Sequence, residues 1–380
     1  MSVIPTSPTP SPHQAAQRLA QIERARRAVL FRECDVPGAT APWLERSWRR
    51  CLDLGLDPAR PIAFDPVSAA ATRSALDASQ PLLQAAAPVI RSLSRAMANT
   101  RYFAILTDAR GIVINVNGPV DASDPRATQI ARVGVDLSER AVGTTAIGLA
   151  LTDHQSVWLH RGEHFFDANS VYSCAGAPIW GPDGRCVGML DLTGVQVSEQ
   201  PALKHLVTQS ARSIENALAL AQPHALLLRL NWPGRMLGDD SDGLVCVDQD
   251  GLIVGLNRPA ADMLDIPAGV PPGHCSSYLA AAVDALFDAA QQQAPATEVP
   301  LWSGLRLQVL AQSGRARAGR PVRSAGAAHA VPLKDMEAAL IRKAVDDARG
   351  NVMDAARALG ISRATIYRKL GAHKRRGPAA

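Results

Sequence analysis

Cysteine is scarce in this 380-residue chain and never closely paired. Cys34, Cys51, Cys174, Cys186, Cys246 and Cys275 stand far apart with no CxxC, which excludes a disulfide-dense secreted scaffold and a paired-cysteine zinc ribbon. No run of about 18 apolar residues exists, so nothing reads as a membrane span. The first residues, MSVIPTSPTPSPHQ, lack the basic-then-apolar pattern of a signal peptide. No Ser/His/Asp set or carboxylate pair stands out as catalytic, and no enzyme reading emerges. There is no GxxxxGK[ST] loop and no Gly-Lys dipeptide, so the common phosphate cradle for ATP is missing. These absences point to a soluble, cytoplasmic, non-enzymatic chain without cofactor or metal.

What is present suffices for real cores. Apolar residues make up 47% and charged residues 20%, and the length suits two or three domains. The net charge of +5 conceals an asymmetry. Residues 315–380 hold 15 Lys and Arg against 5 Asp and Glu, a net of +10, whereas the rest carries −5. A mildly acidic body with a strongly basic end reads as an electrostatic footprint for phosphate, most often nucleic acid. A merely solvated basic tail is the plainer alternative.

Along the chain, residues 1–13 are rich in Pro, Ser and Thr and read as disordered. AAQRLAQIERARRAVLFR reads as a basic amphipathic helix from about Gln14 to Arg32. APWLERSWRRCLDLGLDP places Trp43, Leu44, Ser47, Trp48, Cys51 and Leu52 at helical spacing, with the tryptophans as packing anchors. A helix over roughly 81–98 leads into YFAILTDARGIVINV, a hairpin about DARG. SVYSCAGAPIWGPDGRCVGMLDLTGV gives two more β segments about GPDG, and PALKHLVTQSARSIENALALA is a helix. The pattern restarts at GDDSDGLVCVDQDGLIVGLNRPAADMLDIP, with two strands flanking DQDG, then Asn257 and an alanine-rich helix. LWSGLRLQVLAQ adds strand, and residues 313–331 read as a basic linker. His154, His160 and His164 lie on strand and loop, where a pocket rim or simple surface placement outweighs metal binding. Cys174 and Cys186 read as core positions rather than redox sensors.

The last 49 residues are helical by pattern. Gly350 ends a first helix and Asn351 caps a second, in which Ala355, Ala356 and Leu359 face inward. Gly360 suits the turn, Ser362 is the natural N-cap of a third helix, and Ile361 with Ile366 has the spacing of a hydrophobic staple. Two helices joined by such a turn make a helix-turn-helix. Ile366 and Leu370 share the inner face of the third helix. Ala364 and Arg368 then point outward, flanked by Arg363, Thr365, Tyr367 and Lys369. Arg is the preferred bidentate reader of guanine, and Lys374, Arg375 and Arg376 suit phosphate. Ser362, Arg363, Thr365, Tyr367, Arg368, Lys369, Lys374 and Arg375 are therefore the expected contacts to double-stranded DNA. One small domain touches little DNA, so a homodimer on paired half-sites is expected.

GNVMDAARALGISRATIYRKL closely resembles the Fis-type helix-turn-helix of bacterial enhancer-binding regulators. SWRRCLDLGLDP, RVGVDLSERAVGTTAIGLAL, EHF and CAGAPIWGPDGRCVGMLDLTG are similar to the sensor region of acetoin-catabolism-type regulators. That resemblance implies a GAF sensor with an effector pocket beside RAVGTTAIGLAL and EHFFDANSVYSC, lined by Thr144, Thr145, His164, Phe165 and Cys174. DGLVCVDQDGLIVGLNRPAADMLDIP resembles the start of a PAS domain. Regulators of that group place an ATPase between sensor and DNA-binding domain to remodel sigma-54 polymerase, and this chain departs from them there.

The expected fold class is multidomain α+β. A tail and helical segment (1–79) precede a GAF-like sensor (80–222), a PAS-like module (234–312), a basic linker (313–331) and an all-α helix-turn-helix (332–380). The expected function is sequence-specific transcription regulation in response to a small organic effector, with RNA polymerase as a further partner. A module that titrates a full-length regulator through mixed dimers is the rival reading. An architectural DNA-bending protein is a third.

Overall fold

A computed structural model describes residues 12–31 and 41–314, together with Val352, Met353 and Ala356. The chain divides at Arg317/Ala318 into two compact units. In the second, the three described residues are helical and Ala356 is buried.

The first unit opens with α1 (Pro12–Leu30), α2 (Pro42–Asp53), α3 (Ala69–Ala78) and α4 (Gln80–Ala96). β1 (Tyr102–Asp108) and β2 (Val113–Asn117) follow, then the short helices α5 (Pro125–Ile130), α6 (Glu139–Val142) and α7 (Ala146–Asp153). β3 (Val157–His160), β4 (Tyr172–Trp180) and β5 (Cys186–Val195) complete a five-stranded antiparallel sheet ordered β2-β1-β5-β4-β3. α8 (Leu203–Leu220) leads to a second antiparallel sheet. Its strands are β6 (Leu226–Asn231), β7 (Gly243–Val247), β8 (Ile253–Leu256), β9 (Thr297–Pro300) and β10 (Arg306–Ser313), ordered β8-β7-β6-β10-β9. α9 (Arg258–Met263) and α10 (Val283–Gln291) lie between β8 and β9 in sequence.

The first sheet is covered on both faces, which explains why its central strands read as unbroken apolar runs. Successive side chains alternate between two cores. Tyr102, Ala104 and Leu106 of β1 pack with Ala175, Ala177 and Ile179 of β4 against α4 and α8. Phe103 and Ile105 pack the other way with Tyr172, Cys174 and Met189, against Leu44, Trp48 and Cys51 of α2 and Ile147 and Leu149 of α7. Trp48 is fully buried and Trp43 packs partly buried, so both tryptophans anchor α2. Each buried Leu or Ile of these layers contributes about 1.5–3 kcal/mol against its exposed state.

The two predicted hairpin turns are built alike. Asp108 Oδ1 accepts from the amides of Arg110 and Ile112, and Asp248 Oδ1 accepts from those of Asp250 and Leu252, all at 2.9 Å. The fourth residue of each turn, Gly111 (φ 89°) or Gly251 (φ 85°), takes the left-handed conformation that glycine adopts without strain. The stretch between α8 and β7, left unassigned by pattern, contains β6, the central strand of the second sheet.

Asn257 ties α8 to that second sheet. Its Oδ1 accepts from the amides of Leu244 (2.8 Å) and Ala260 (3.0 Å), capping α9. Its Nδ2 donates to Asn216 Oδ1 on α8 (2.7 Å) and to the Asp242 carbonyl (2.8 Å). All four bonds are buried, so an Asn257→Ala chain loses a helix cap and leaves polar groups unpaired. The expected loss is about 2–4 kcal/mol in a urea titration. A loss below about 0.5 kcal/mol contradicts the role given to Asn257.

Candidate functional site

The inner face of the first sheet, covered by α2, α7 and the β3–β4 connection, is not wholly apolar. On β5, alternation sends Asp191 and Thr193 to the same face as Met189 and Val195. On β4 it sends Tyr172 and Cys174 there, Cys174 paired with Thr193 and Gly176 with Asp191. Gly176 lets α7 come close. A Cβ at that position would stand 3.0 Å from the Ala146 carbonyl and 2.6 Å from the Met189 methyl. Thr145 caps α7 by accepting from the Gly148 amide at 3.1 Å.

Between these elements lies a cavity of about 10 Å³, room for one water molecule. Its apolar wall comes from Phe64, Ile130, Leu137, Ala146 and Ile147, and its polar wall from Thr145, His164, Asn169, Tyr172, Cys174, Asp191 and Thr193. Three of the polar residues each carry a buried atom without a hydrogen-bond partner: His164 Nε2, Asn169 Oδ1 and Asp191 Oδ1. Buried polar atoms are nearly always paired, and a void of this size admits one water that can pair with these three.

Their chemistry is set by their other bonds. His164 Nδ1 lies 2.9 Å from the Arg161 carbonyl, which only accepts, so Nδ1 carries the proton. Burial pushes the imidazole down to about 4, so at neutral pH Nε2 is a bare acceptor. Asn169 Nδ2 donates to the Val142 carbonyl at 3.3 Å, leaving Oδ1 as a second acceptor. Asp191 is completely buried. The Thr193 hydroxyl donates to its Oδ2, yet burial dominates and pushes the carboxyl up to about 7. Burial likewise raises the Cys174 thiol well above its usual range, leaving it protonated and unreactive. The residues around the void thus include two acceptors and one carboxyl able to donate or accept.

The N-terminal helices brace this wall. The buried guanidinium of Arg26 on α1 donates to the carbonyls of Gly162 (2.9 Å), His164 and Phe165 (3.0 Å) and pairs with Asp167. Trp48 Nε1 on α2 donates to the Glu163 carbonyl at 3.0 Å. Glu139 accepts from Ser47 and from both arms of Arg50, each at 3.0 Å. α1 and α2 thus pack on the sheet and its loops as part of one core.

Of the five residues implied as effector contacts, Thr145, His164 and Cys174 line the cavity. Thr144 and Phe165 are not in its wall. The Thr144 hydroxyl pairs with Ser47 at 2.8 Å, its carbonyl accepts from the Phe165 amide at 3.2 Å, and the Phe165 ring stacks edge-on against Phe166. His160 and His164 are buried rather than on the surface, while His154 is exposed. Asp191 and Thr193 lie outside the stretches expected to flank the pocket, whereas Asn169 falls within EHFFDANSVYSC without having been singled out. The available signal was a polar pair at alternate positions of the apolar strand VGMLDLTGV. Ser362, Arg363, Thr365, Tyr367, Arg368, Lys369, Lys374 and Arg375 lie outside the described residues. Among the described residues, no cluster of His, Cys, Asp and Glu is placed to hold a metal ion, and no helix is long and apolar enough to cross a membrane.

Residues 19–216 match the family model for the MimR N-terminal domain, a span of more than half the chain. The chain belongs to that family. Residues 332–373 match the Fis-family model of bacterial regulatory proteins. Family relatives include the acetoin catabolism regulatory protein of Cupriavidus necator, 29% identical over 65% of this chain and 37% of that protein. The propane 2-monooxygenase operon transcriptional activator MimR of Mycolicibacterium goodii is 31% identical over 52% of this chain and 33% of its own. The chain thus spans about a third of the length of the curated relatives it matches. A chain of the E. coli DhaR(N)–DhaL complex superposes with a TM-score of 0.43 at 17% identity, covering 72% of this chain and 99% of that one.

The raised Asp191 carboxyl has a consequence for stability. A carboxyl that keeps its proton in the fold beyond its unfolded value stabilises the fold at low pH. That stability is lost as pH rises through the folded value, here from about 4 to about 7. His164 and His160, both lowered to about 4, act in the opposite sense within the same window. An Asp191→Asn chain isolates the carboxyl: its stability relative to wild type should rise between pH 4 and pH 7 in paired urea titrations. A pH-independent difference contradicts the buried, uncompensated state of Asp191.

Proposed function

We propose that this chain is a transcription regulator that binds DNA through residues 332–380 and responds to a small neutral, hydroxylated organic molecule. The observation that carries the reading is the coexistence, on one chain, of a Fis-family segment and a sensor-family segment whose inner cavity has three unpartnered polar atoms. In this reading residues 80–222 are a GAF-like sensor and residues 234–312 a PAS-like module, and the chain acts as a homodimer in the cytoplasm. A hydroxyl group suits the cavity because it donates to His164 Nε2 or Asn169 Oδ1 and accepts from protonated Asp191. A charged guest is disfavoured, since nothing in the wall offsets its desolvation. With space for one water, entry of a larger molecule requires the His164 wall to move, and Arg26 and Trp48 are the groups that hold that wall.

Binding that favours one arrangement of the sensor shifts how the two DNA-binding segments are presented. The relatives are named as regulators and activators of catabolic operons, which supports regulation of a degradative operon here. With no phosphate loop in the sequence, the action is by occupying DNA or recruiting RNA polymerase rather than by ATP-driven remodelling.

Selection from a random DNA pool by the purified full chain tests the reading, with enrichment of one two-fold-symmetric motif expected. On that motif Arg363→Ala should cost about 1–3 kcal/mol and relax preference at one base pair. Equal losses on selected and random DNA would show that Arg363 touches only phosphate. No enrichment at all would overturn the DNA-binding assignment and favour titration of another regulator through mixed dimers.

A further inference from the structure

A second, larger opening lies at the seam between the two sheets. It is a cleft of about 380 Å³, within the roughly 300–1,000 Å³ of small-molecule sites. It shares no residue with the inner cavity. α8 forms one wall and packs against strands of both sheets, α9 forms another, and the α7–β3 turn and the end of β4 close it.

The charges in this cleft are unequal. Arg212 of α8 and Arg258 of α9 both line it. Arg258 pairs with Asp262 at 2.6 Å and sits over the Trp180 ring, 5.0 Å from its centroid. Arg212 influences Glu215 and Asp239 electrostatically, yet among the described residues it holds no carboxylate within 4 Å. Glu215 accepts from the Trp180 amide at 3.0 Å, and burial pushes its carboxyl up to about 8. Burial thus weakens its power to cancel the arginines. Beside them stand apolar surfaces. Trp180 has the His154 ring 5.1 Å away, and Trp232, whose ring also lines the cleft, is 40% exposed.

We propose that this cleft binds an organic carboxylate with a flat apolar body, its carboxylate held by Arg212 and its body against the exposed Trp232, the buried Trp180 being already covered by Arg258 and His154. The planar fork of a guanidinium matches a carboxylate, and a stem carrying an unpaired guanidinium loses little on engaging one. The Trp232 indole supplies the apolar contact that separates such a ligand from inorganic anions. A molecule seated there touches α8, α9 and the α7–β3 turn together, so it joins the two sheets across their seam.

Calorimetric titration of the full chain with benzoate and indole-3-acetate tests this, with benzamide and inorganic phosphate as controls. One equivalent of each carboxylate should bind, benzamide and phosphate about tenfold or more weaker, and Arg212→Gln should weaken benzoate about tenfold. Arg60→Gln, an exposed arginine outside both openings, should leave benzoate affinity unchanged. The melting temperature of each variant reports its fold independently. Absence of carboxylate binding up to about 1 mM overturns the proposal. So does equal binding of benzamide or phosphate, or an Arg212→Gln chain that binds as wild type does.

Discussion

Everything in the first sheet follows from its being covered twice. α4 and α8 close one face, while α2, α7 and the loop after β3 close the other. A strand buried on both sides has no solvent face on which to place polar groups, so each polar side chain must find a partner inside or remain unpaired. Thr145, Thr193 and Cys174 find partners. Asp191, Asn169 and His164 each keep one atom unpaired, and all three surround the same void. Unpaired buried atoms cost stability. Their grouping about one void lets a single hydrogen-bonding guest, a water or the hydroxyl of the proposed ligand, offset that cost.

The same constraint explains the bracing. Residues 161–171 run across the sheet without regular strand pairing, so their carbonyls need donors from elsewhere. Arg26 supplies three such bonds from α1 and Trp48 one from α2. The wall that holds His164 is therefore fixed by helices distant in sequence, and a change at the cavity is felt first at α1 and α2. On the other side of the sheet, α8 passes from the first core to Asn257 and the second sheet. The cleft bearing Arg212 lies along that same helix. A guest in that cleft acts on an element that both sheets share, whereas the inner cavity lies on the face of the sheet away from α8.

Much of this was legible in the sequence where local chemistry decides the outcome. DARG, GPDG and DQDG announce hairpins because aspartate and glycine satisfy a tight turn by themselves, and the periodicity of residues 203–220 marks α8. β6 was only half legible: Pro223 and Pro233-Gly234 bound LLLRLN as breakers do, but its alternation is hidden because its leucines are buried on both faces. The cavity was half legible. Thr145, His164 and Cys174 came through family resemblance, whereas Asp191 and Thr193 meet them only through the β4–β5 register. Thr144 and Phe165 lie one residue away in sequence from cavity residues but are engaged elsewhere, Thr144 by the Ser47 hydroxyl and Phe165 by the Phe166 ring.

The central claim is that the Asp191 void receives a small neutral hydroxylated ligand. Thermal shift of wild type and Asp191→Leu against short diols, hydroxyketones and alcohols tests it most directly. Leucine branches at Cγ as aspartate does, is larger, and removes the polar anchor. A ligand of this class should stabilise wild type by RT ln(1 + [L]/Kd), about 2.7 kcal/mol at a hundredfold excess, and leave Asp191→Leu unmoved. Stabilisation of both proteins alike, or of neither by any member of the panel, contradicts the account.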